Sequence, residues 1–341
     1  MRSEKTEQDC IGSGAGLQRK RNRIENGLEK NRNGPGERRK GRIPGVKGMN
    51  MDINMEKTSD TKMLLEFTDS YREQTFYRRG AFIRMDLSGI RGTDSYLDEM
   101  AREEILDRIR SYGAEGIHFF DSGNYHYMSR LFTGLIDEDF ILVDFDHHTD
   151  MQIPAFGLEL LSCGSWLRHA LMEEPHLKKV LLIGPPAEMI RETAQDLTEE
   201  FGDRIVTIPE EEIADAQAGE DGAMKEKLRR LFTENPLPVY FSVDKDVFSV
   251  DILRTNWDQG VLEEELFFEI LRICAGHELR REEGCAETAA ANEMTGKEPA
   301  GPRRIIGMDV CGEFPASAGG DADAAEQNDR MNRKLAELDL P

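Results

Sequence analysis

The chain has no apolar run approaching the roughly 18 residues that a membrane-spanning helix requires, which excludes an integral membrane protein of the helical kind. Residues 1–30 also lack the apolar core of a signal peptide, so secretion is not expected. Cysteine is sparse and odd in number: Cys10, Cys163, Cys274, Cys285 and Cys311 show no C-x-x-C spacing. That excludes a disulfide framework or a structural zinc cluster and points to a reducing, cytoplasmic setting. No internal repeat is present, so the chain is not a solenoid. Positive charge is scarce outside the start of the chain. Residues 1–50 hold 13 Lys and Arg against 6 Asp and Glu, a net of +7, so with a total of −22 the remainder carries −29. So acidic a body repels nucleic acid and anionic membrane surfaces and favours small cations nearby.

What is present begins with a leader. Residues 1–60 are rich in Gly, Asn, Arg and Lys with almost no aliphatic periodicity, so they are read as a disordered basic leader, and Met49 or Met51 is the expected translation start. From 61 to 341 the chain reads as one α/β domain. Short strands are expected at 63–67 and 81–85. A helix follows, from Leu97 to Tyr112, with Asp94 or Ser95 as its N-cap and Met100 in its apolar stripe. Strands at 117–120, 140–145, 179–183, 204–208, 239–243 and 305–308 then alternate with helices at 158–172, 189–201, 225–232 and 262–273. Such alternation implies parallel strands with helices on both faces, a three-layer αβα architecture. The stretch 276–302 breaks the rhythm and is read as a mobile insertion, 319–327 as polar loop, and the last residues as one short helix.

One stretch carries the chemistry. Phe140 to Val143 reads as a buried strand that runs directly into Asp144-Phe145-Asp146-His147-His148-Thr149-Asp150. Open α/β sheets hold ligands outside such carboxyl ends. Asp146, His148 and Asp150 alternate, so in extended chain they share a face. Two carboxylates and an imidazole converging there suit a divalent Mn, Fe or Zn ion, against the bland reading of a solvated loop. His147 faces the other way and reads as a packed core histidine. Other strand ends add the same chemistry. His126 follows a glycine turn, Ser242-x-Asp244-x-Asp246 ends another strand, and Asp309 with Glu313 ends the last.

The ordered set of His126, D-x-H-x-D, S-x-D-x-D and a final Asp with a nearby Glu resembles the ureohydrolase family of arginases, agmatinases and formiminoglutamases over residues 80–315. The resemblance implies an arginase-like fold with a mainly parallel sheet and two Mn(2+) ions at the strand ends. One ion would take His126, Asp146, Asp150 and Asp244, and the other His148, Asp146, Asp244 and Asp246. It implies hydrolysis of a C–N bond in a small cationic guanidino or amidino substrate. Asp150 would hydrogen-bond the attacking hydroxide and Glu313 would anchor the substrate cation. Relatives are often trimers or hexamers, so homo-oligomerisation is expected.

Three positions depart from that pattern. The first motif, usually G-G-D-H, is Gly123-Asn124-Tyr125-His126 here, which removes an acid beside the ligand. Cys163 stands where relatives carry a histidine that handles substrate or protons. Glu313 lies four residues after Asp309, whereas relatives place it three after. These departures keep open a catalytically altered member of the same fold, a metal-binding or scaffold module. Asp146-His147-His148 also matches the D-H-H motif of manganese phosphoesterases, a reading that demands an upstream H-x-x-x-D motif that is not visible.

Overall fold

The computed structural model describes residues 61–154, 160–193, 195–276, 303–315 and 321–338. The basic leader expected at 1–60 and, from 277 onward, the insertion expected at 276–302 lie outside them.

The order of hydrophobic residues builds one eight-stranded sheet. Strands β1 (Lys62–Glu66), β2 (Phe82–Asp86), β4 (Gly116–Phe120), β5 (Phe140–Phe145), β7 (Leu177–Ile183), β8 (Ile205–Ile208), β9 (Val239–Asp244) and β10 (Ile305–Cys311) line up in the order β2-β1-β4-β10-β9-β5-β7-β8. Every neighbouring pair runs parallel. The central strands read as continuous apolar runs because both of their faces are covered. In β5, Ile141, Val143 and Phe145 join one buried cluster and Phe140 and Leu142 the other. The first cluster takes in α6 (Glu210–Gln217), α7 (Gly222–Glu234), α8 (Glu264–Cys274) and α9 (Ala322–Ala336). The second takes in α1 (Glu99–Ile109), α2 (Met128–Thr133), α3 (Trp166–Glu173) and part of α5 (Gln195–Phe201). Two helical layers therefore sandwich one sheet, the architecture the alternation predicts. No helix among the described residues is long and apolar enough to cross a membrane.

Local chemistry moves several boundaries. Helix α1 starts later than its apolar spacing suggests, because Tyr96–Leu97 (β3) pairs antiparallel with Leu161–Ser162 (β6). Its N-cap is Asp98, which accepts the amide of Ala101 at 2.8 Å, not Asp94 or Ser95. Met100, placed in the stripe by spacing, is 82% exposed. The same strand pair delays α3 to Trp166, after a 3₁₀ turn at Cys163–Ser165. The helix expected over 189–201 is two, α4 (Ala187–Thr193) and α5. Helix α6, with only Ile213 and Ala216 buried, gives too weak a stripe to be read from sequence. Helix α9 begins inside the stretch read as polar loop. Its buried face is built from Ala324, Asn328 and Asn332 as well as Met331 and Leu335, and Asp321 caps it.

Candidate metal centre

Three strand ends bring the chemistry together, as parallel strands present their carboxyl ends at one edge. β4 leads through a 3₁₀ turn (Gly123–Tyr125) to His126, β5 leads to Asp146, His148 and Asp150, and β9 ends at Asp244 with Asp246 two residues on. Asp150 sits at φ 47°, a left-handed conformation that a short polar side chain tolerates and that turns its carboxylate back toward the strand. Lys245 must face away for Asp244 and Asp246 to face inward, and Asp244 fixes this by accepting the amide of Asp246 at 3.1 Å.

The donors fall into two adjoining groups. Around His126 Nδ1 lie Asp150 Oδ2 at 2.9 Å, Asp146 Oδ2 at 3.3 Å and Asp244 Oδ2 at 3.6 Å. Around His148 Nδ1 lie Asp246 Oδ2 at 3.0 Å and Asp146 Oδ1 at 3.5 Å. Asp146 thus offers one oxygen to each group. Asp244 joins the His126 group, together with Cys311, and not the His148 group. Although it is fully buried, Asp146 Oδ2 accepts no hydrogen bond. A buried carboxylate oxygen left without a hydrogen bond among crowded ligand atoms is what a shared cation would explain, and the N and O donor set fits a divalent ion.

Around these donors runs a polar row that the sheet register sets up. Asp144 of β5 is opposite Ser242 of β9, Ser242 is opposite Asp309 of β10, and Asp309 is opposite His118 of β4. Ser242 Oγ lies 3.0 Å from His126 Nε2 and donates to Asp309 Oδ1 at 2.8 Å, so this relay orients the His126 ring. Asp144 lies 4.0 Å from His126 Nε2, and both its oxygens are buried without a hydrogen bond. On the other imidazole, His148 Nε2 meets Asp258 Oδ1 at 3.2 Å. The Asp258 side chain is 71% exposed and that of His148 20%, so the centre opens to solvent on this side. Trp257 packs edge-on against His148 and donates to Asn124 Oδ1 at 3.1 Å, forming the rim.

The electrostatics are those of a cluster suited to positive charge. Burial alone would lower His126 and His148. The carboxylates of Asp146 and Asp150 on the first, and of Asp146, Asp246 and Asp258 on the second, raise both above the ordinary imidazole range. Asp146, which burial would raise, is instead held low by the two imidazoles. Burial and the Asp146 charge raise Asp150 to about 7, and burial raises Asp244, Asp246 and Asp144. Protons on the imidazoles and on Asp150 balance the crowded carboxylates, a task that bound cations would equally perform.

Of the residues singled out from sequence, His126, Asp146, His148, Asp150, Asp244 and Asp246 come together. Cys163 stands half-buried near Asp150, and burial, then the Asp150 charge, pushes its thiol up to about 12. Burial thus disfavours its thiolate, the nucleophilic form. Glu313 is not brought to the cluster. Its carboxylate is taken by Lys245, by Gln74 at 2.6 Å and by Asn332 at 2.6 Å, all buried. Position 312 is a glycine at φ 85°, where a Cβ would stand 2.4 Å from Asp244 Oδ1. Tyr125 is core, stacked on Phe67 with ring centroids 4.2 Å apart. His147 lies 3.2 Å from Glu210, turned from the donors. Asp144, Cys311 and Asp258 went unnoticed in sequence. Asp144 had a signal, since it continues the alternation of 146, 148 and 150 one step into the strand.

Fold and site together define a three-layer α/β protein with a cluster of His and Asp donors at the carboxyl edge of a parallel sheet. The sequence model of the arginase family matches residues 118–254, the span that runs from β4 past β9. An uncharacterized protein of Thermotoga maritima is 27% identical over 198 residues, which make up 58% of this chain and 58% of that relative. Less than two thirds of that relative is therefore spanned. Among solved structures, formimidoylglutamase of Bacillus subtilis superposes with a TM-score of 0.54 at 11% identity, over 82% of this chain and 88% of that one. Arginase of Bacillus cereus does so with a TM-score of 0.53 at 13% identity, over 82% and 99%. Residues 118–254 are thus similar to the arginase, or ureohydrolase, family, and the fold is that of the solved arginase and formimidoylglutamase.

Proposed function

We propose that the protein is a binuclear-metal hydrolase that cleaves a C–N bond in a small linear guanidino or amidino compound. The observation that carries this reading is the pairing of the donors: two adjoining groups, one around His126 and one around His148, share Asp146. A divalent pair held there, two Mn(2+) in the reading from family resemblance, would supply Lewis acidity and lower the pKa of a water shared between its members. The chain's own residues do the rest. Asp150 Oδ2, 2.9 Å from His126, is the group in reach to orient or deprotonate the attacking water. The exposed Asp258 carboxylate places negative charge at the mouth, where it attracts a cationic substrate. Trp257 and Asn124 fix the rim through which a planar amidine would pass. The buried relay through Ser242 and Asp309 keeps His126 in one orientation.

A second reading, a metal-binding member without hydrolysis, draws support from one observation: the carboxylate expected to anchor the substrate cation is tied to Lys245. One experiment separates the two. The protein is reconstituted with Mn(2+), and urea, formamide and ammonia release are measured across guanidino and formimino compounds, with Asp146→Asn as control. Turnover that the control loses supports hydrolysis. Two metals per chain without turnover supports the second reading. Equal turnover in the control rules out the metal centre as the catalyst.

A further inference from the structure

The two donor groups are chemically unequal, and the inequality comes from a sulfur. Cys311 is the last residue of β10 and is paired in register with Asp244 of β9, so both project from the same face beside His126. It is 1% exposed, and its thiol donates to Asp244 Oδ2 at 3.2 Å, the oxygen that also faces His126 Nδ1 at 3.6 Å. One ligand atom each from Cys311, Asp244 and His126 lies within 4.8 Å of the others. An independent observation points into the same space, for the buried Asp146 Oδ2, 3.3 Å from His126 Nδ1, has no hydrogen-bond partner. The His148 group, by contrast, contains only nitrogen and oxygen.

We infer that Cys311 is a donor to the cation held by His126 and Asp244, and that this position prefers a borderline ion such as Zn(II) or Co(II), leaving Mn(II) to the His148 group. The inference rests on the proposed reading of the cluster as a metal centre. Sulfur ligands select Zn over Mn because the softer donor forms the stronger bond to the softer ion, whereas carboxylate-rich sites with no sulfur suit Mn. On binding, the S–H···O hydrogen bond to Asp244 is replaced by an S–metal bond and the thiol proton leaves to solvent. No electron is transferred. Gly312, next in the chain, holds the β10 end close enough for this, since a Cβ there would stand 2.6 Å from the Lys245 amide.

The test uses the full chain, stripped of metal and loaded with Co(II), with bound metal counted by elemental analysis and the near-ultraviolet spectrum recorded. A sulfur-to-cobalt charge-transfer band in the wild type, lost in Cys311→Ser and kept in Cys163→Ser, is the expected result. In competition, Cys311→Ser should lower the preference for Zn over Mn at one of the two positions by about 10-fold or more. Should the variant fold poorly, the cadmium-113 resonance of the wild-type protein reports sulfur coordination by itself. Two Co(II) per chain with no sulfur band, or a band that survives in Cys311→Ser, overturns the role of Cys311 and leaves the metal centre standing. No bound Co(II) overturns both.

Discussion

Lys245 and Glu313 form an ion pair in which neither side chain reaches solvent, at 0% and 1% exposure. The pair ties the end of β9 to the end of β10, and Asn332 of α9 and Gln74 of the segment after β1 close it by hydrogen bonds to Glu313. Because Lys245 lies between Asp244 and Asp246, whatever fixes Lys245 outward fixes both acids inward. The pair is thus a pin for the donor set. The carboxylate that family resemblance assigns to the substrate serves the scaffold instead.

Breaking that pin should cost stability first. Lys245→Met strands a buried carboxylate, and removing one partner of such a pair costs about 3–5 kcal/mol, whereas replacing both costs much less. Urea denaturation should therefore show Lys245→Met and Glu313→Gln each strongly destabilised, and Lys245→Met/Glu313→Leu partly restored. A Glu313→Gln protein of wild-type stability with a raised KM would place the carboxylate on the substrate and sink this assignment.

What the sequence disclosed follows from distance along the chain. Asp146, His148 and Asp150 are legible as neighbours because they follow the end of one apolar run, although the chain bends after Phe145 and Asp150 reaches the cluster through a left-handed turn, not by extended alternation. His126, Asp244 and Asp246 followed once each was recognised at the end of an apolar run, since a parallel sheet collects such ends. Glu313 was not legible. Its direction depends on a one-residue offset after Asp309, and Gly312, whose Cβ would collide with Asp244, decides that offset. Cys311 and Asp258 acquire meaning only through register and loop packing across elements far apart in sequence. Helix α9 was misread over its first turns because Ala and Asn can line a buried face without an aliphatic stripe.

The relay behind His126 should matter for affinity more than for folding. Ser242→Ala removes the contact to His126 Nε2 and one of the hydrogen bonds to Asp309 Oδ1, which keeps Ser129 as donor at 3.0 Å. Loss of such an outer partner weakens metal binding by about 10–100-fold, and the destabilisation should stay at about 1 kcal/mol because Asp309 remains partly satisfied. Titration of the metal-free protein with Mn(II) checks the first, thermal unfolding the second. Unchanged affinity would refute the relay.

Gly312 leaves no room for a side chain. Alanine there meets both a positive φ and a contact of 2.4 Å with Asp244 Oδ1, so the β10 turn must shift. Gly312→Ala should lose about 1–3 kcal/mol from backbone strain alone, and its metal content should fall because Asp244 is the group displaced. Full metal loading in Gly312→Ala would show that Asp244 is not a required ligand.

Acid dependence supplies the last check, with a definite sign. In the metal-free protein Asp150 lies at about 7, against 3.8 for the free side chain, because burial and the Asp146 charge disfavour its ionised form. The folded state therefore binds a proton more tightly than the unfolded chain, and this group's contribution to stability falls as pH rises from about 4 to about 7. Asp150→Asn removes that slope. Without metal the variant should gain on the wild type across this window, by at most about 4 kcal/mol, since every tenfold difference in proton affinity between the two states is worth about 1.36 kcal/mol. Saturating metal should reverse the order at pH 8, because the wild-type carboxylate then meets a cation and the amide cannot replace its charge. Parallel curves of melting temperature against pH for the two metal-free proteins would show that Asp150 is not buried beside Asp146, and the donor group around His126 would have to be redrawn.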